Sequence, residues 1–272
     1  EFRRVLFRSV GLSAGGQTID LDAGVKVSGR IGDWNLGTLV IRQGETAGLE
    51  SQDVFVGRTV LNVGSRTQVG AIATDGNPQS ALDNSLVGAD IRYRNTAFHG
   101  NTIELSTYYQ ETETEGIASE DNASYGVNFF LPNAQGWQAL YQYKRVEDNF
   151  FPALGYVNVN DIEDHHMNVG YRHFFARDDF FRSAAVLLEG YRADNLSDGS
   201  LNNQNLGLRL TSFTNTNDSY WTRLVQYKEA LPVPFTIYTA SDGSRTITIP
   251  AGDYSWTAFR SEERRVGKEC RS

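Results

Sequence analysis

The sequence predicts an all-β fold, an antiparallel up-and-down β-barrel of about 12–14 strands. Three observations predict it. Apolar residues recur with period two and nowhere with a helical repeat of comparable quality. All six prolines fall between the marked segments, as they must where every ladder position donates a hydrogen bond. Short turns also alternate with longer polar loops, the pattern of a meander with two unlike rims.

The first strand is expected from Ile19 to Arg30. There Ile19, Leu21, Ala23, Val25 and Val27 alternate with Asp20, Asp22, Lys26, Ser28 and Arg30, so an apolar face opposes a charged one. Gly32-Asp33 makes a tight turn, and Trp34 to Arg42 returns as the second arm of a hairpin. Strands follow at Asp53 to Asn62, Thr67 to Thr74, Ser85 to Ala97, Thr102 to Thr112, Ala123 to Leu131 and Gly136 to Val146. The second half continues with Asp164 to Phe174, Arg182 to Arg192, Leu201 to Phe213 and Tyr220 to Lys228, then short pieces at Phe235 to Ala240 and Arg245 to Ile249. Alternation is cleanest where Val87, Ala89, Ile91 and Tyr93 oppose Asp90, Arg92 and Arg94. It is as clear where Trp137, Ala139, Tyr141 and Tyr143 oppose Gln138, Gln142 and Lys144, and where Leu206, Leu208 and Leu210 oppose Asn205 and Arg209.

Composition removes several classes. A formal charge of −8 is wrong for a protein that grips nucleic acid by neutralising phosphates, so no nucleic-acid partner is expected. At 40% hydrophobic and 21% charged, the chain is too apolar for disorder. Its longest aliphatic run, Ala184 to Leu188, is far below the roughly twenty residues of a spanning helix. Many expected strands instead match the roughly 9–11 residues that cross a bilayer with tilt. Aromatic residues make up 12% of the chain. They cluster toward strand ends at Trp34, Phe98, Tyr108-Tyr109, Phe129-Phe130, Trp137, Tyr143, Phe174-Phe175, Phe180-Phe181 and Tyr220-Trp221, as in an interfacial girdle. Two readings stay open. In a transmembrane barrel the apolar side chains point to lipid; in a soluble β-rich carbohydrate-binding or carbohydrate-processing protein they form a core.

Several strings carry a family resemblance. VKVSGRIGDWNLGTLVIRQ at 25–43, DVFVGRTVLNVGSRTQVGAIATDGNP at 53–78, NSLVGADIRYRN at 84–95, YGVNFF at 125–130, EDNFFPALGYV at 147–157 and RTITIPAGDYSWTAF at 245–259 resemble one outer-membrane family. It is the β-barrel domain of unknown function that follows a family-9-like carbohydrate-binding module. The resemblance implies a Gram-negative outer-membrane location, with membrane lipid and lipopolysaccharide as partners and a saccharide as a conceivable ligand. It brings no catalytic residue and does not define an oligomeric state. Residues 1–9 and 261–272 resemble non-native read-through sequence and hold seven of the 25 basic residues and the sole cysteine, Cys270. The expectation is therefore a partial barrel domain over 10–260, a fragment of a larger barrel.

No enzyme chemistry is expected, and no cofactor. Asp161 to His166 is the densest group of metal-ligand types, but His165 and His166 are adjacent on a strand and point to opposite faces, so no metal site is assigned. Glu111, Glu113, Glu115, Glu120 and Asp121 read as a solvated outer loop, the alternative being cations that bridge lipopolysaccharide phosphates. Neither a phosphate-binding loop nor a Gly-x-Ser-x-Gly elbow is present. The polar stripe is the candidate site: Lys26, Arg30, Asp90, Arg92, Arg94, Glu104, Lys144, Arg172, Arg209 and Arg223 are expected to line the lumen.

Overall fold

The structure is a computed structural model describing residues 10–13, 15–46, 49–231, 235–239, 245–249 and 252–264. The string 1–9 and most of the other terminal string, 265–272 with Cys270, lie outside the described residues.

Every described element is a strand: β1 Leu21–Ile31, β2 Trp34–Gln43, β3 Gln52–Val63, β4 Thr67–Asp75, β5 Asn84–Phe98, β6 Asn101–Thr114, β7 Ala123–Leu131 and β8 Gly136–Val146. Then come β9 Ile162–Phe174, β10 Phe181–Asn195, β11 Leu201–Thr214, β12 Ser219–Leu231, β13 Phe235–Thr239, β14 Arg245–Ile249 and β15 Gly252–Arg264. Strands β1 to β12 follow one another in a single sheet and β15 adds to β12, while β13 and β14 pair separately. Each expected strand is present with ends shifted by a few residues, and β15 is a further long one. Residues 261–264 extend β15 beside β12, with Glu262 opposite Trp221. The order has two ends, β1 and β15, and no described ladder joins them, so among the described residues the sheet is not closed into a barrel.

Connections after the odd-numbered strands are short, at 32–33, 64–66, 99–100, 132–135, 175–180 and 215–218. Those after even-numbered strands run longer at 44–51, 76–83, 115–122 and 147–161, the exception being 196–200, which is shorter than 175–180. The reasons are local. Gly32 and Gly64 take positive φ in the first two turns, and His99 with Gly100 does so in the third. In 196–200, the Ser200 hydroxyl and backbone N–H both bond the Asp198 carboxylate, holding its pKa below the ordinary carboxylate value.

The chain forms two compact units, one from Glu1–Asn128 with Lys144–Ile162, the other from Phe129–Tyr143 with Glu163–Ser272. In the first, register lines apolar residues into rows across the strands. Ile31, Trp34, Leu61, Val69 and Ile91 stand directly opposite one another from β1 to β5. Val27, Thr38, Gly57, Ala73 and Val87 form a second row on the same face. Most of these side chains are uncovered, with Ile31 71% exposed, Val27 66% and Val87 59%, while Leu61 and Ala73 are half-buried. In the second unit Val186 and Leu188 face Leu210 and Leu208, and Leu208 faces Leu224; all five are exposed.

The buried apolar residues lie on the opposite face. In the first unit Val54 and Val56 of β3 pack with Leu154 from segment 147–161, flanked by Val10, Leu39 and Ile41. Ile19, expected on the uncovered face, is buried instead. It precedes β1, and its N–H donates to Gly11 O at 2.9 Å, so the chain doubles back before the strand begins. Tyr109, expected near a strand end, stands inside β6 and stacks on Tyr125 with ring centroids 6.2 Å apart. Trp34 and Phe98 do sit uncovered beside short turns in the first unit, as do Trp137, Phe174, Phe175, Phe180 and Phe181 in the second.

Candidate functional site

The face opposite the exposed apolar rows carries two separate ionic clusters, while the pairs Arg42–Asp53, Glu163–His165 and Arg192–Asp194 stand on the apolar face toward the strand ends beside the even-strand connections. In the first unit, Arg58 Nη1 reaches Asp90 Oδ2 at 2.5 Å. These residues sit on β3 and β5, so the bond crosses β4, and what lies beneath it is Gly70, paired with Val60 on one side and Asp90 on the other. A Cβ at Gly70 would stand 2.5 Å from Arg58 Nη2 and 2.6 Å from Asp90 Oδ2. The missing side chain is what lets the pair form. Gly70→Val is therefore expected to part the two charges and cost about 1–3 kcal/mol, as overpacking does. Urea unfolding in micelles checks it: added to Arg58→Met, Gly70→Val should lose much less. An unchanged midpoint for the single variant would sink the cradle.

Next along β5, Arg94 Nε pairs with Glu104 Oε1 at 2.9 Å directly across the strands. Gln68 Nε2 donates to Asn62 Oδ1 at 3.0 Å. Arg30 bends back to its own turn and donates to Gly32 O at 2.9 Å, so it caps the hairpin. Lys26 and Arg92 are exposed and make no ion pair among the described residues. Lys144, in the same unit, is half-buried on β8.

In the second unit a single carboxylate holds two guanidinium groups. Glu189 Oε1 accepts from Arg209 Nη2 at 2.8 Å, and its Oε2 accepts from Arg223 Nε at 2.6 Å. Register puts Arg209 directly opposite Arg223, where like charges repel, so Glu189 from the neighbouring strand is what lets both stand there. The glutamate side chain is 10% exposed and the arginines 41% and 34%. Gly207 faces Glu189 across the ladder, and a Cβ there would stand 2.9 Å from Val225 Cγ2, so the missing side chain makes room for β12.

Strand β9 separates its two histidines as expected. His165 Nδ1 lies 3.0 Å from the Tyr141 hydroxyl, while His166 Nδ1 lies 3.3 Å from Gln142 Oε1. His166 Nε2 is bridged to Asn168, and Arg172 follows on the same parity, half-buried. No group of three or more metal-ligating side chains comes together among the described residues.

The structure thus divides the ten expected residues. Asp90, Arg94, Glu104, Arg209 and Arg223 are locked in ion pairs, whereas Lys26 and Arg92 stand free of them. Two residues central to the clusters, Arg58 and Glu189, were not among the expected ones. Parity would have found Glu189, which alternates with Val186 and Leu188 on β10. Compared with family models, with curated proteins and with solved structures, the chain has no match.

Proposed function

We propose that the protein is an outer-membrane β-barrel segment that serves passive uptake or surface recognition, with a saccharide as the fitting class of solute. The observation that carries this is the exposure of whole rows of Val, Leu, Ile and aromatic side chains on one face of the strands, opposite ion pairs on the other. Soluble monomers rarely leave more than a few hundred Å² of contiguous apolar surface in water. Five strands about 4.8 Å apart, each giving alternate residues about 6.8 Å apart, carry apolar rows over several hundred Å² in the first unit alone. Lipid removes that cost. Strand lengths near those of tilted spans, the aromatic residues beside short turns and the resemblance of the quoted strings support the same reading. Lipid and lipopolysaccharide are then its surroundings.

Fractionation tests it. The chain should sediment with membranes, resist high-salt and alkaline washing, and enter solution only with detergent. A monodisperse preparation in detergent-free buffer would instead establish the soluble carbohydrate-related alternative.

A further inference from the structure

We infer that segment 147–161 is a fixed constriction, a loop laid across the inward face of the first unit that sets the size of polar solute able to pass. This inference rests on the membrane-barrel reading. Four of the even-strand connections are long, but this one is the longest of those within the β1–β12 meander, and it folds back over strands distant in the sequence. At one end Thr112 of β6 receives it and at the other Leu154 joins Val54 and Val56 of β3, with Leu39 and Ile41 of β2 alongside. Three strand spacings of about 4.8 Å separate β6 from β3, so the segment spans about 14 Å of wall.

A loop turned onto a sheet carries backbone polar groups away from water, and each needs a partner. Here the partners are built. Asn84 Nδ2 donates to Phe151 O at 2.7 Å, and Ala153 N donates to Asn84 Oδ1 at 3.0 Å, so one amide holds both sides of the turn. Phe151 N donates to Thr112 Oγ1 at 3.0 Å. Asn160 Nδ2 closes the base by donating to Phe150 O at 2.8 Å, and Asn149 Nδ2 ties the segment to Glu120 O at 2.7 Å. Asn84 is 3% exposed and Thr112 1%, so both make these bonds out of contact with water while the segment is in place. Phe150, Ala153 and Leu154 are buried at the same time, which adds an apolar penalty to lifting. A hinged lid needs a second low-energy state; lifting this segment breaks its three hydrogen bonds to Asn84 and Thr112 and uncovers three apolar side chains, while Asn84 keeps only Thr114 Oγ1 and Thr112 only Asn122 O as side-chain partners. Asn84 and Thr112 are positioning residues: they act by holding the segment.

The test uses the full chain reconstituted in planar bilayers, with potassium chloride as current carrier and polyethylene glycols of graded size as neutral probes. Insertion is scored independently by protease protection. Asn84→Ala combined with Thr112→Val should raise single-channel conductance about twofold or more, from zero or from a finite value, and admit larger polymers. Thr112→Ser, which keeps the hydroxyl, should match the wild-type chain. Leu154→Ser, which leaves every strand intact, gives the same direction if the double variant fails to insert. Hydrogen exchange reads the segment itself: the Phe151 and Ala153 amides should be protected in the wild-type chain and lose protection in the variant. Inserted variants with deprotected amides and unchanged conductance and size cut-off would overturn the constriction. A wild-type chain that never inserts would overturn the membrane reading instead, and the protection readout tells the two failures apart.

Discussion

Leu208→Arg is expected to destabilise the inserted protein by about 2–4 kcal/mol, while Arg209→Gln, one residue along, leaves insertion intact. The contrast follows from register. Leu208 stands between Leu188 on β10 and Leu224 on β12, all three uncovered, near the middle of an exposed apolar row. On the membrane reading proposed above, a guanidinium placed there enters hydrocarbon, and its cost is largest at mid-depth. Arg209 points the other way, toward Glu189, and Gln there keeps a donor near the carboxylate. Unfolding titrations in lipid vesicles measure both. Equal losses for the two variants, or no loss for Leu208→Arg, would mean that the exposed row meets water and that the facing proposed for the membrane is wrong.

The strands were legible because period two is a direct readout of the pleat. Wherever one face is apolar and the other ionic, as in Val87 to Arg94 or Leu206 to Leu210, alternation marks both existence and facing. The signal fades where both faces are apolar. In β3, Val54 and Val56 are buried beneath Leu154 while Phe55 and Leu61 lie on the other face, so Arg58 had no charged stripe to belong to. In β10, Glu189 directly follows the aliphatic run Ala184 to Leu188, and its importance arises from arginines on the next two strands. Strand β15 was not marked by alternation of its own; only the resemblance of 245–259 implied a late strand there, and its end runs into a basic string of foreign composition. Segment 147–161 was the least legible of all. Its Asp, Asn, Pro and Gly residues read as an ordinary loop, and nothing local says that Leu154 is covered by Val54 and Val56, or that Phe151 bonds Thr112, in strands distant along the chain. Sheet closure is a relation between the two ends of the strand order, and no single strand encodes it.

Glu189→Leu should be the most damaging change on the ionic face, costing about 2–4 kcal/mol of stability in micelles or vesicles. Removing one partner of a buried pair leaves an uncompensated charge, and here it leaves two, on arginines that register holds face to face. The figure lies below the full buried-pair penalty because both guanidinium groups are more than a third exposed and keep part of their hydration. The sign of a second substitution separates this cause from simple loss of packing. If repulsion between Arg209 and Arg223 is the main cost, Arg209→Met should be destabilising in the wild-type chain but stabilising in the Glu189→Leu background. Losses that merely add would show that the carboxylate fills space rather than joining two like charges. The same cycle bears on why an acid directly follows the aliphatic run Ala184 to Leu188: it joins the β11 and β12 arginines that share one register position. Raising salt should narrow the difference between Glu189→Leu and the wild-type chain, since screening weakens repulsion between exposed arginines while leaving a cavity untouched.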